Sequence, residues 1–128
     1  MKGGRGVLLR DFDPTYISLY EQGDVVVAAF AVDQVTEDDN VELLGRELFT
    51  LTDQLDVKKV ILSLHNVTRV TSSVLGKLIT LHRKLHRHSG RLIICNLKGE
   101  VAAVMHASRL STYFQITADL DGALKSIA

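Results

Sequence analysis

The stretch Val60–Leu78, VILSLHNVTRVTSSVLGKL, decides how this chain is read. It opens on a short β-branched apolar run, which with the two lysines ahead of it predicts a buried strand over Lys58–Leu64. From Val74 the period changes. Val74, Leu78, Leu81 and Leu85 recur every three or four residues, which predicts a helix running through about His86. A strand that leads into a helix is the first half of a β-α-β unit. Ser72 and Ser73 stand at the seam, and Ser72, just ahead of the periodic residues, is expected to cap the helix. Unpaired amides and the positive end of the helix dipole meet there, so the seam also suits an anion. A phosphoryl group on Ser72 would add nearly two negative charges, and the helix end would stabilise it by about 0.3–1 kcal/mol.

Upstream, YISLYEQGDVVVAAFAV predicts a hairpin: a strand over Tyr16–Tyr20, a turn at Gln22-Gly23-Asp24, and a nearly all-apolar strand over Val25–Ala31. TEDDNVELLGRELFTLTDQL predicts a helix with Thr36 as its cap and Val41, Leu44, Leu48, Leu51 and Leu55 as one stripe. Its acidic start, Glu37, Asp38 and Asp39, complements the helix dipole and needs no metal to account for it. Downstream, Gly90–Leu97 predicts a buried strand that opens on a helix-ending glycine. A short helix follows, with Val101, Val104 and Met105 inward, then an edge strand over Tyr113–Ile116 and a last helix begun by Asp119 and Asp121. Strands alternating with helices imply a largely parallel sheet, and function in such sheets gathers at the carboxyl ends of strands. The Ser72 seam lies at one.

A chain of 128 residues, 46% hydrophobic and 23% charged, has the length and composition of one globular domain. The one cysteine, Cys95, cannot form an internal disulfide, which fits a reducing, cytoplasmic setting. The opening MKGGRGVLLRDF lacks a signal-peptide core, and Val25–Val32, the longest apolar run, is too short to span a bilayer, so no membrane partner is expected. Net charge is zero but uneven: residues 1–64 carry 6 Lys/Arg against 12 Asp/Glu, and residues 65–128 carry 9 against 3. Nothing here resembles a nucleic-acid-binding charge.

Catalytic signatures are missing. Ser72 lacks the glycines of a nucleophile elbow, and His65, near in sequence, has no carboxylate placed to orient it. No phosphate-binding glycine loop is present, so no nucleotide cofactor is expected. His82 and His86 share a helix face that continues back through Ile79 and Leu75. They lack a third ligand, so the flank reads as half-buried packing and not as a metal site.

From Val60 to about Leu120 the sequence resembles the STAS domain of anti-sigma factor antagonists. VILSLHNVTRVTSSVLGKL parallels that family's strand, its Asp-Ser-Ser/Thr-Gly-Leu-Gly loop and its helix. LHRKLHRHSGRLIICNLKGEVAAVMHASRLSTYFQI continues the order of elements. The looser match upstream extends the resemblance over most of residues 16–127, behind a short extension over residues 1–15. It implies an α/β, STAS-like fold: a mixed, largely parallel sheet of four to five strands with helices packed on it. It also implies a non-enzymatic module without cofactor or metal. Such a module binds an anti-sigma factor that is also a serine kinase, which phosphorylates the first loop serine; a phosphatase reverses the mark. In this sequence that serine matches Ser72. The partner surface implied is Thr71, Ser72, Ser73, Val74 and Leu75, with Ile79, His82 and His86 along the helix.

The sequence departs from the pattern at four places. The loop Asp is Thr71, the first loop Gly is Val74, the Gly before the later Leu110 is Arg109, and the Gly before the first helix is absent from Phe30-Ala31-Val32-Asp33. Val74 would set a branched side chain where a partner comes close. With Arg69 and Lys77 near and no acid in the loop, the seam is expected to be locally positive. Two readings lead: a regulator switched at Ser72, or a constitutive scaffold of the same fold without the switch; small-molecule or nucleotide binding at the carboxyl end of the sheet is a third, with fold-level support alone.

Overall fold

The computed structural model describes residues 11–127. In chain order the elements are β1 (Ile17–Gln22), β2 (Val25–Phe30), α1 (Asp38–Asp53), β3 (Lys59–Ser63), α2 (Ser72–Arg87), β4 (Arg91–Cys95), α3 (Gly99–Ala107), α4 (Leu110–Tyr113), β5 (Gln115–Thr117) and α5 (Leu120–Ile127). One five-stranded sheet runs β1-β2-β3-β4-β5. Only β1 is antiparallel to its neighbour; Gln22 pairs with Val25 across a two-residue turn whose Gly23 has φ +63°. Glycine takes that left-handed position without steric cost. The other three pairings are parallel, as the alternation of strands and helices requires.

Successive strand residues point to opposite faces, and the two faces are covered unequally. Val60, Leu62 and Leu64 lie under α1 and α2 in the main core with Phe30, Leu48, Leu78 and Leu85. Val25, Val27, Ile61, Ile93 and Cys95 face the other way, against Ala123 and Ile127 of α5. Buried on both faces, β3 is apolar at every position from Val60 to Leu62, each 0% exposed. The α1 stripe read from the sequence, Val41, Leu44, Leu48, Leu51 and Leu55, is at most 2% exposed throughout.

Three expected details change. First, α1 begins at Asp38, with Glu37 in the cap position and no side-chain cap, so Thr36 does not cap it. Asp38 and Asp39 supply the favourable charge in its first turn instead. Second, α2 ends through Ser89, which takes the left-handed conformation at φ +62°. Gly90 serves a different purpose: a Cβ there would lie 2.3 Å from the Lys58 carbonyl oxygen, so glycine lets β4 start against β3. Third, the segment before β5 holds an extra four-residue helix, α4, entered through a left-handed Arg109 at φ +61°. Arg109 therefore adopts the backbone conformation expected of a glycine there, without being one. Of the expected extension over residues 1–15, residues 1–10 lie outside the described residues. Residues 11–15 do not stand apart: Phe12 packs on the main core, and the Thr15 and Tyr16 amides donate to Glu47 at 2.6 and 2.7 Å.

Candidate functional site: the seam between β3 and α2

After Ser63 the chain forms a short loop that is tied down before α2 begins. Leu64, Val67 and Val70 are buried and anchor it from beneath. Its backbone is fixed laterally by the Val67 amide donating to Leu64 (3.0 Å) and the Thr68 amide donating to Asp33 (2.9 Å). Asn66 Nδ2 donates to the Phe30 carbonyl at 3.4 Å. The seam is thus a clamped platform at the carboxyl ends of β2 and β3.

Thr71, not Ser72, caps α2. Its Oγ1 accepts the Val74 amide at 3.3 Å, and its carbonyl accepts the Leu75 amide at 3.1 Å. Any of three consecutive hydroxyl residues has the chemistry of a cap; burial of Val70 on one side and Val74 on the other settles which one takes it. Ser72 and Ser73 become the first two residues of the helix. Both are exposed, and their hydroxyls make no hydrogen bond within the described residues. Their amides are among those a helix start leaves without an intrahelical acceptor.

Val74 and Leu75, expected on the partner surface, are 1% and 6% exposed and belong to the core. Val74 therefore puts no branched side chain on the surface; it fills space below the seam. Thr71, Ile79 and His82 are half-buried and His86 is exposed. His82 and His86 stand 10 and 14 residues beyond Ser72 along α2, which at 1.5 Å per residue is about 15 and 21 Å. The structure brings Thr71, Ser72 and Ser73 together and leaves the two histidines at the far end of the helix.

The seam is not locally positive. Arg69 pairs with Glu100 at 3.3 Å and Lys77 with Glu42 at 2.8 Å. The Lys77 hydrogen bond and charge hold the Glu42 carboxyl below the usual carboxylate range. Sequence reasoning found both cations and missed both acids, because these come from α3 and α1 and meet the seam only in the folded chain. Asp38, Glu42, Ser73, Gly76 and Lys77 line a shallow cleft where α1 lies beside α2. A Cβ at Gly45 would lie 2.8 Å from Lys77 Cδ, so the lysine stem runs over this glycine on its way to Glu42. A second ion pair between the helices, Lys84–Asp53 at 3.0 Å, joins the acidic and basic halves of the sequence side by side.

Gly76 matches the last glycine of the loop pattern that the resemblance supplies. It is exposed within α2, and a Cβ built there meets nothing within 4 Å. No contact among the described residues calls for glycine.

His65 gives Ser72 no base. Its Nδ1 lies 3.0 Å from Ser63 Oγ, and Asn96 Nδ2 donates to that same oxygen at 2.9 Å. Ser63 is 4% exposed and His65 is exposed, so this polar knot runs from the buried ends of β3 and β4 out to the surface. Burial raises the pKa of the adjacent Cys95 thiol above its ordinary value. Among the described residues, no group of three or more His, Cys, Asp or Glu side chains is placed to hold a metal ion. No helix among them is long and apolar enough to cross a membrane.

The family model of the STAS domain matches residues 16–123. The chain belongs to the STAS domain family. Solved STAS structures share its fold at low identity. An anti-sigma factor antagonist domain protein from Planctomyces limnophilus superposes with a TM-score of 0.77 at 18% identity, over 87% of this chain and 97% of that one. An anti-sigma factor antagonist from Mycobacterium paratuberculosis gives 0.73 at 17%, over 87% and 92%. The Bacillus cell fate determinant SpoIIAA in its phosphorylated form gives 0.65 at 19%, over 88% and 99%. A search of curated protein sequences found no match. In this STAS domain the seam occupies the strand–loop–helix position that the sequence resemblance identified.

Proposed function

We propose that this STAS domain is a protein-binding regulator of the anti-sigma factor antagonist type, switched by phosphorylation of Ser72. The observation that carries the reading is the state of the Ser72 hydroxyl. It is exposed, unpartnered and set in the first turn of a helix, on a loop clamped by Val67, Val70 and three hydrogen bonds. Because Thr71 takes the cap, the Ser72 hydroxyl has no structural duty. A modifying enzyme reaches it without unfolding the helix, and the fold loses no capping bond when it is modified. SpoIIAA, which shares the fold, has been solved in a phosphorylated form, and this supports the reading.

The partner would read Thr71, Ser72, Ser73 and the open surface at Gly76, with Ile79 and His86 extending the footprint along α2. Val74 and Leu75 would support that surface from below. The reaction at the switch is transfer of the γ-phosphoryl group of ATP from a kinase partner to Ser72 Oγ, with the hydroxyl proton leaving to a base on the kinase. A phosphatase would return the serine and free phosphate. The new charge, close to two units, would stand at a seam whose cations, Arg69 and Lys77, are already paired with Glu100 and Glu42. A weakly charged seam would become strongly acidic, and an acidic partner surface that met it before would be repelled.

A constitutive scaffold remains the second reading, and Thr71 favours it, since the cap lacks the family's carboxylate. Phosphopeptide mapping of the protein from its native cell separates the two. The switch requires phosphate on Ser72 in some growth condition. Its absence in every condition, or its presence only on other residues, would leave the scaffold.

A further inference from the structure

The far end of α2 carries an unmet demand for negative charge. His82 and His86 form one i, i+4 pair and Arg83 and Arg87 form another, so four cationic or protonatable groups share one patch. Two adjoining clefts of about 280 and 320 Å³ meet there and share His82, His86 and Tyr113. Neither is lined by an aspartate or glutamate. The side chains of Arg83 and Arg87 make no ion pair or hydrogen bond within the described residues, whereas Lys58, Lys59, Lys77 and Lys84 each hold a carboxylate.

The patch also has an aromatic wall. The Tyr113 ring is 4.9 Å from His82 and 5.2 Å from Phe114, and His82 meets Phe114 edge-on at 5.7 Å. Phe114 is buried, but Tyr113 is 43% exposed, one of three large apolar side chains open to solvent among the described residues. His82 Nδ1 is the one buried side-chain polar atom among them without a hydrogen-bond partner. Arg91, which also lines one cleft, is already held by Gln115 Oε1 at 2.7 Å and the Ser126 carbonyl at 3.0 Å. This patch lies at the amino ends of β4 and β5, opposite the Ser72 seam.

We propose that this cleft binds a small aryl anion, an aromatic carboxylate or aryl phosphate. Its ring lies against Tyr113 and His82, and its charged group is held by Arg83, Arg87 and His86. The guanidinium pair supplies planar donors matched to carboxylate or phosphate oxygens, and the exposed tyrosine supplies the apolar face. The cleft has room for one ring. A small molecule there would leave Ser72 itself free and touch only the His86 end of the partner footprint, and the proposal stands whether or not Ser72 is a switch.

The test is NMR titration of the whole chain at constant ionic strength with benzoate and phenyl phosphate. Acetate and inorganic phosphate serve as anions without a ring, and phenol as a ring without the anion. Expected are saturable shifts at His82, His86 and Tyr113 for both aryl anions, with a Kd of about 1 mM or tighter. Acetate, inorganic phosphate and phenol should bind at least about tenfold more weakly. The exposed double variant Arg83→Gln/Arg87→Gln should lose at least about tenfold in affinity for the aryl anions, with its amide spectrum otherwise retained. Equal shifts from acetate or inorganic phosphate would mark ordinary counter-ion binding and overturn the proposal. So would the absence of saturation by about 20 mM aryl anion, shifts centred elsewhere, or affinity unchanged in the double variant.

Discussion

Replacing Gly76 by alanine separates what the fold needs from what a partner needs. Glycine inside a helix costs roughly 0.8–1.0 kcal/mol relative to alanine, because the unfolded chain has more freedom to lose. The added Cβ meets nothing within 4 Å, so no packing term opposes the gain. Gly76→Ala should therefore stabilise the domain by about 0.8 kcal/mol, raising Tm by roughly 2–6 °C for a chain of this length. Gly90→Ala is the internal contrast. Its Cβ would overlap the Lys58 carbonyl oxygen at 2.3 Å and crowd the Leu85 carbonyl at 3.1 Å, both backbone atoms with little room to give. That variant should lose more than about 2 kcal/mol. Thermal melts followed by circular dichroism, with urea titrations to check that the m-value is unchanged, read both effects. A Gly76→Ala domain no more stable than the parent would refute the reasoning, since some intramolecular contact would then be using the glycine. If Gly76→Ala is more stable yet binds its partner less well, the surface above α2 is reserved for that partner.

Three other outcomes follow from the same structure. Thr71→Ala should cost about 1 kcal/mol through loss of the bond to the Val74 amide, and Thr71→Ser should restore most of it; urea denaturation measures both. Ser72→Asp should leave Tm within a few degrees of the parent, because the helix start favours the new charge by about 0.3–1 kcal/mol and the Ser72 hydroxyl gives up no hydrogen bond within the described residues. A fall of many degrees would show that the seam does not tolerate negative charge. His82 has a pKa below the ordinary histidine value, first through burial and then through His86. The unfolded chain therefore binds its proton more readily. Stability should fall as pH drops below the unfolded value near 6.5, levelling once the folded pKa is passed. His82→Gln should flatten that part of the pH–stability curve, as chemical denaturation between pH 8 and pH 5 would reveal.

Much of the architecture was legible because its signals are local and repeated. The stripe Val41, Leu44, Leu48, Leu51 and Leu55 extends over four turns, and all five side chains are buried. The apolar runs of β2, β3 and β4 read as strands because all three lie inside a sheet covered on both faces. The extra helix α4 has four residues, too few for any period to show. The cap of α2 was misplaced by one residue because Thr71, Ser72 and Ser73 are chemically equivalent candidates in sequence. Only the burial of Val70 and Val74 distinguishes them. The charge of the seam was misread for a different reason. Arg69 and Lys77 are near neighbours of Ser72 in the chain, whereas Glu100 and Glu42 reach them only through packing of α3 and α1. The pairing of His82 with Tyr113 is equally invisible before the chain folds, since it joins α2 to the end of α4.

The most direct measurement of the regulatory role is a quantitative comparison of the proteins captured from the native cell by the wild-type domain and by its Ser72→Asp and Ser72→Ala variants. The expected result is an ATP-binding serine kinase retained by wild type and Ser72→Ala and depleted at least about tenfold on Ser72→Asp, a loss of the size that a charge placed against an acidic partner surface produces. A partner set identical across all three baits would contradict a switch at Ser72.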